Sequence, residues 1–111
     1  MSNPRFTVGD RIYEVLNVHG EKYVLDGYVM FNRGLLLKAS MGREDGEYIL
    51  RHASELPPEY RVKNIMVFPE WGDLYTHDAT HLYWYINGWN RYWDDLNHLW
   101  YDNCRLMRRC L

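Results

Sequence analysis

Residues 81–93 read HLYWYINGWNRYW, two aromatic arms on either side of Asn87-Gly88. Asn-Gly between apolar runs is a strong hairpin signal, because a two-residue turn of the hairpin type needs positive φ at both central positions. A turn at Asn87-Gly88 predicts Ile86 opposite Trp89, Trp84 opposite Arg91 and Leu82 opposite Trp93. One face then carries Leu82, Trp84, Ile86, Trp89, Arg91 and Trp93. The other carries His81, Tyr83, Tyr85, Asn90 and Tyr92. Aromatic pairs across such strands stabilise a sheet, and Arg91 is placed to stack on Trp84.

Upstream, Arg11 to Val18 alternates, with Ile12, Glu14, Leu16 and Val18 on one side, which predicts a strand. Gly9-Asp10 and His19-Gly20-Glu21 bound it with turn residues. Tyr23 to Phe31 reads as a second strand bent at Gly27. Asn32-Arg33-Gly34 then turns the chain into a third, Leu35 to Ala39. A polar loop, 41–46, leads to a fourth, Glu47 to Arg51. Pro57-Pro58 ends any helix, so 52–58 fits a tight turn. Arg61 to Phe68 alternates as a fifth strand.

Five short strands with a tight turn before the last predict a small barrel or a bent antiparallel sheet over residues 1–68. The order resembles an SH3-like barrel. That likeness rests on strand spacing and implies binding of peptides, nucleic acids or proteins without choosing among them.

Downstream of this part, 69–80 is a polar linker containing Trp71-Gly72 and His77-Asp78. The hairpin follows at 81–93. From Asp94 to Leu111 the apolar period lengthens: Leu96, Leu99/Trp100, Cys104, Met107 and Leu111. Asp94 and Asp95 open the segment and Arg105, Arg108 and Arg109 close it, as a helix dipole favours. The prediction is a C-terminal helix over 94–111; the competing reading is a hairpin turning at Asp102-Asn103. The fold class is therefore α+β and mostly β, in a single domain of 111 residues.

Composition narrows function. Hydrophobic residues are 47% of the chain and aromatic residues 16%, so much of the core must come from rings with polar tips. A net charge of −2 gives no global attraction to phosphate or anionic lipid. No apolar run reaches membrane-spanning length, and the first ten residues lack the order of a signal peptide. Cys104 and Cys110 do not form a disulfide framework and read as reduced thiols, which implies a cytoplasmic protein. Charge is unevenly spread. Residues 69–103 hold one basic residue, Arg91, against six acidic ones, Glu70, Asp73, Asp78, Asp94, Asp95 and Asp102. That third of the chain is both acidic and aromatic.

Specific chemistry is harder to find. His77 and His81 at i and i+4 would share a helix face and could hold zinc with Cys104 and Cys110. On a strand they lie about 13 Å apart, and solvated loop histidines are the plainer reading. Cys104 or Cys110 as a nucleophile would need a base such as His98 and a lowered thiol pKa from the neighbouring arginines. Cys104 reads more simply as a small core residue. Glu44-Asp45 looks solvated, Asp94-Asp95 is explained by capping, and no glycine-rich phosphate cradle is present. No cofactor or metal is implied.

The expected function is non-catalytic protein binding. Trp71, Tyr83, Tyr85 and Tyr92 would be anchors, with Asp73, Asp78, Asp94 and Asp95 supplying field for a partner with a basic surface. A phage or mobile-element inhibitor of a host defence or nucleic-acid enzyme would have this character, and a homodimer is compatible with it. The alternatives are a nucleic-acid-binding SH3-like domain, using Arg61 and Lys63 among others, and a small-molecule-binding or metal-dependent enzyme.

Overall fold

The structure is a computed structural model describing residues 3–63, 65–72 and 77–110. It is α+β and mostly sheet. The strands are β1 (Arg5–Val8), β2 (Arg11–Leu16), β3 (Val24–Asp26), β4 (Ile65–Phe68), β5 (Asp78–Tyr85), β6 (Gly88–Asp95), β7 (Leu99–Tyr101) and β8 (Cys104–Cys110). The helices are α1 (Gly27–Leu36), α2 (Arg43–Arg51) and the single turn α3 (Tyr60–Lys63). Six strands form one sheet in the order β1-β2-β8-β4-β5-β6, and β3 pairs with β7 as a separate ribbon. Every pair is antiparallel except β4 with β8. The sheet is open, with β1 and β6 at its edges, so it is not closed into a barrel.

Each face of the sheet has its own core. On one, Phe6, Tyr13, Met66, Phe68, Leu82 and Met107 meet Ile49 of α2, with Leu56 and Tyr60. On the other, Leu16, Val67, Ala79 and Leu106 meet Met30 of α1, together with Leu25 and Trp100 of the ribbon. β8 runs through the middle, so its neighbours Leu106 and Met107 are both fully buried, on opposite faces.

Several predicted elements are corrected. The strand expected over Tyr23 to Phe31 is only Val24–Asp26 long, and α1 takes over. Asp26 starts that helix: its side chain accepts a hydrogen bond from the Tyr28 N–H at 2.9 Å, which satisfies one exposed donor of the first turn. Asn32-Arg33-Gly34 lies inside α1, and the strand expected from Leu35 is the end of the helix. Glu47 to Arg51 is the second half of α2. The first part of the strand expected over Arg61 to Phe68 is α3. The tight turn expected before it is present as a 3₁₀ turn at Ala53–Glu55.

The C-terminal helix expected over 94–111 does not form. Asp94 and Asp95 end β6, and the chain turns at Asp102-Asn103 between β7 and β8, but these strands lie in different sheets and do not pair, so the competing hairpin does not form either. The expected linker is shorter too, because β5 already begins at Asp78.

Candidate functional site

β5 and β6 are eight residues each and pair from Asp78↔Asp95 to Tyr85↔Gly88. The turn sits on Ile86-Asn87, with φ of +48° and +59°, rather than on Asn87-Gly88. Trp84 therefore faces Trp89, and Leu82 faces Arg91. A shift of two positions changes each direct partner and leaves the predicted faces intact. Positive φ is costly at Ile86, whose branched Cβ crowds the backbone. Asn90 braces the turn by donating from Nδ2 to the carbonyls of Tyr85 and Gly88, at 3.1 and 3.0 Å.

The two faces differ in charge. On the α2 side, Trp84 and Trp89 meet edge to face at 5.9 Å, and the Arg61 guanidinium lies 4.3 Å from the Trp84 ring. Arg91 lies 5.6 Å from the ring of Trp71 instead of on Trp84. Trp71 is half-buried, edge-on to Phe68 at 5.9 Å and packed against Gly46 of α2. It belongs to the core margin more than to a free surface.

On the other side lie His81, Tyr83, Tyr85, Tyr92 and Asp94. Tyr85 is 61% exposed, Tyr92 51%, and at the tip and edge Ile86 is 78% and Trp93 58% exposed. Tyr83 is half-buried, its ring 5.6 Å from His81 and 6.3 Å from Tyr85. Tyr92 stacks on Trp93 at 5.1 Å. β6 is a sheet edge, so its outer backbone has no strand partner among the described residues.

The predicted anchors thus divide. Tyr83, Tyr85, Tyr92 and Asp94 share one face. Trp71 packs on the opposite side. Asp78 and Asp95 are cross-strand neighbours at the far end of the hairpin, and Asp95 accepts from the Asn97 N–H at 2.8 Å. Asp73 lies outside the described residues.

Sequence reasoning missed a cleft of about 570 Å³ beneath the tyrosine face, between β5–β6 and the β3–β7 ribbon. Its walls include Tyr23, His81, Asp94, Trp100, Tyr101 and Asp102. His81 is only 7% exposed and meets Trp100 edge to face at 5.9 Å. Its Nδ1 stands 3.8 Å from an Asp94 carboxylate oxygen, beyond hydrogen-bond reach. Burial lowers the His81 pKa, against the weaker pull of Asp94. Trp100 is held from behind by its backbone: the buried His19 Nε2–H donates to its carbonyl at 2.8 Å.

The metal and thiol expectations can be placed on this geometry. His77 is exposed in the turn before β5, whereas His81 is buried on the strand. Among the described residues no group of three or more His, Cys, Asp or Glu side chains is arranged to hold a metal. Burial pushes the Cys104 thiol up to about 12, outweighing the downward pull of Arg105.

Among the described residues no helix is long and apolar enough to cross a membrane. No protein-family model, curated protein or solved structure matches the chain.

Proposed function

We propose that this chain is a non-catalytic protein-binding domain whose contact surface is the outer part of the β5–β6 hairpin. The observation that carries the reading is the exposure of Tyr92 and Trp93 on the edge strand β6, next to that of Tyr85 and Ile86 at the hairpin tip. Rings offer large contact area at low entropic cost, and an open strand offers backbone hydrogen bonds to an added strand. At eight residues β6 is twice the length of β1, the other edge. Natural proteins tend to shorten or cover such edges when they have no use.

Asp94 and Asp95 at the end of β6 favour a partner with a basic surface. An inhibitor or adaptor directed at a nucleic-acid enzyme, as phages and mobile elements deploy, would meet such a surface. Nucleic acid itself is the second reading, on the opposite face, because Arg61 over Trp84 combines a cation with a ring.

Affinity capture with the intact chain, read by mass spectrometry, tests the proposal. A partner retained by the parent and lost with both Trp93→Ala and Tyr85→Ala supports it. A partner retained equally by both variants overturns it. Nucleic acid retained in a salt-dependent way and released by Arg61→Glu selects the second reading.

A further inference from the structure

We propose that this chain pairs with a second copy of itself along β6, joining the two sheets antiparallel about a two-fold axis at Tyr92. The inference rests on the same exposed edge as the function proposed above, and it names a second copy of this chain as the occupant of that edge. β6 pairs with β5 over its whole length without a bulge, and its sequence, GWNRYWDD, contains neither proline nor lysine. Bulges, prolines and lysines are devices by which natural sheets keep one edge from meeting another. The middle of the strand, Asn90 to Trp93, is exposed. The other edge of the sheet, β1, is half as long.

The backbone fixes which groups are free. Tyr85 and Gly88 close the two-residue turn and exchange hydrogen bonds, so every second residue of β6 from Gly88 onward bonds to β5. The Leu96 N–H, donating to the His77 carbonyl at 2.9 Å, keeps the same alternation beyond the strand. Trp89, Arg91 and Trp93 therefore aim their N–H and C=O groups outward. A second β6 added to the sheet must keep each side chain on its own face, so odd-numbered residues can stand opposite only odd-numbered ones.

Side chains choose the register. Centred on Arg91, the pairing sets two arginines directly opposite, which is repulsive. Centred on Trp93, it carries Trp89 past the end of the opposing strand and leaves its backbone unbonded. Centred on Tyr92, it sets Arg91 opposite Trp93 of the second copy and diagonal to its Asp95, within reach of a long side chain. Arg91 is the one basic residue of β6 and is exposed, with the ring of Trp71 5.6 Å away. A guanidinium beside an indole ring is favourable, and the two-fold axis makes that contact twice. The two Tyr92 side chains meet at the axis, and each Asp94 faces a neutral Asn90. Because the axis runs perpendicular to the sheet, Tyr85, Tyr92 and Asp94 of both copies come to one side. The acidic, aromatic face is thereby doubled.

Sedimentation velocity of the intact chain across micromolar concentrations tests the pairing. A species of twice the chain's mass is expected. Trp93→Pro removes an outward N–H, leaves the bonds to β5 in place and should abolish the dimer. Arg91→Glu, at an exposed position, keeps the fold and should weaken the dimer at least about tenfold. Oxidation in a Cys110→Ser background reads the register. Tyr92→Cys should crosslink two copies, whereas Trp93→Cys should not, because the offset of its two copies is too wide for a disulfide. A chain that stays monomeric overturns the proposal, as does a dimer insensitive to both Trp93→Pro and Arg91→Glu. Crosslinking through Trp93→Cys but not Tyr92→Cys overturns it too. A monomer whose captured partner is lost with Trp93→Ala and Tyr85→Ala refutes the dimer alone. A dimer that captures no other protein supports the pairing and counts only against the binding function.

Discussion

Two polar regions of this protein are built on opposite principles. Where α2 meets the β1–β2 hairpin, every charged group in contact has an answer. The fully buried Tyr13 donates its hydroxyl to Asp45 at 2.6 Å. Arg11 reaches Glu44 at 2.6 Å and Asp45 at 3.4 Å while lying 3.8 Å from the ring of Tyr48. Tyr48 donates to Asp10, and Glu55 accepts from the Gly9 N–H. Hydrogen bonding and nearby charge lower the pKa of Asp10, Glu44 and Glu55, while burial, and then the hydrogen bond to Asp45, raise that of Tyr13. Beside the ribbon, by contrast, His81 and Trp100 are buried with ring nitrogens unanswered. A closed network fixes one element on another; a buried nitrogen without a partner carries its desolvation cost uncompensated.

The contrast can be broken most forcefully at the cleft's scaffold. A Cβ on Gly27 would come within 2.2 Å of the Leu96 carbonyl oxygen, a backbone atom that cannot swing aside. Gly27→Ala should cost about 3 kcal/mol or more in urea denaturation, and a loss below about 1 kcal/mol would show that α1 can withdraw freely. In the closed network, Tyr13→Phe deletes a hydrogen bond to a carboxylate and should cost about 2 kcal/mol. A neutral result there would remove the distinction between the two regions.

The smallest effect on stability is expected at His81. His81→Leu removes an unpaired buried nitrogen and should change stability by less than about 1 kcal/mol. Its signature is in pH. The fold favours neutral imidazole, so the unfolded chain takes up the proton first. His81 therefore contributes fully above about pH 6.5, and that contribution is lost as pH falls toward the lower folded value. Asp94, the charged group facing it, opposes this only in part. The variant should lose less stability than the parent between neutral and mildly acidic pH, measured by thermal melts. Identical slopes would show that His81 is not held neutral.

The hairpin and its two faces were legible from the alternation of its arms, but Asn87-Gly88 placed the turn one residue late, so the cross-strand partners were not. Nor were the helices, and glycine is the reason. Gly27 and Gly34 in α1, and Gly46 in α2, look like turn or bend residues in a sequence read alone. Each marks instead a close approach: Gly27 to the Leu96 backbone, Gly34 to the Leu106 side chain, Gly46 to the ring of Trp71. The period at the C-terminus misled for a different reason. A central strand buried on both faces loses the polar alternation that identifies a strand, so Cys104 and Met107 fell into a helix-like spacing. The cleft was invisible because its walls, Tyr23 beside β3, His81 in β5 and Trp100 in β7, come from distant parts of the chain.

The position of β8 has a consequence for biogenesis. It separates β2 from β4, so the sheet's two halves have no strand pairing with each other until residues 104–110 arrive. Ribosomal synthesis would leave the emerging chain as two unjoined groups of strands, each with an extra raw margin, until β8 slots in as the keystone. A nonsense mutation before Cys104 would leave that state permanent, and quality-control proteases would see it as unfinished.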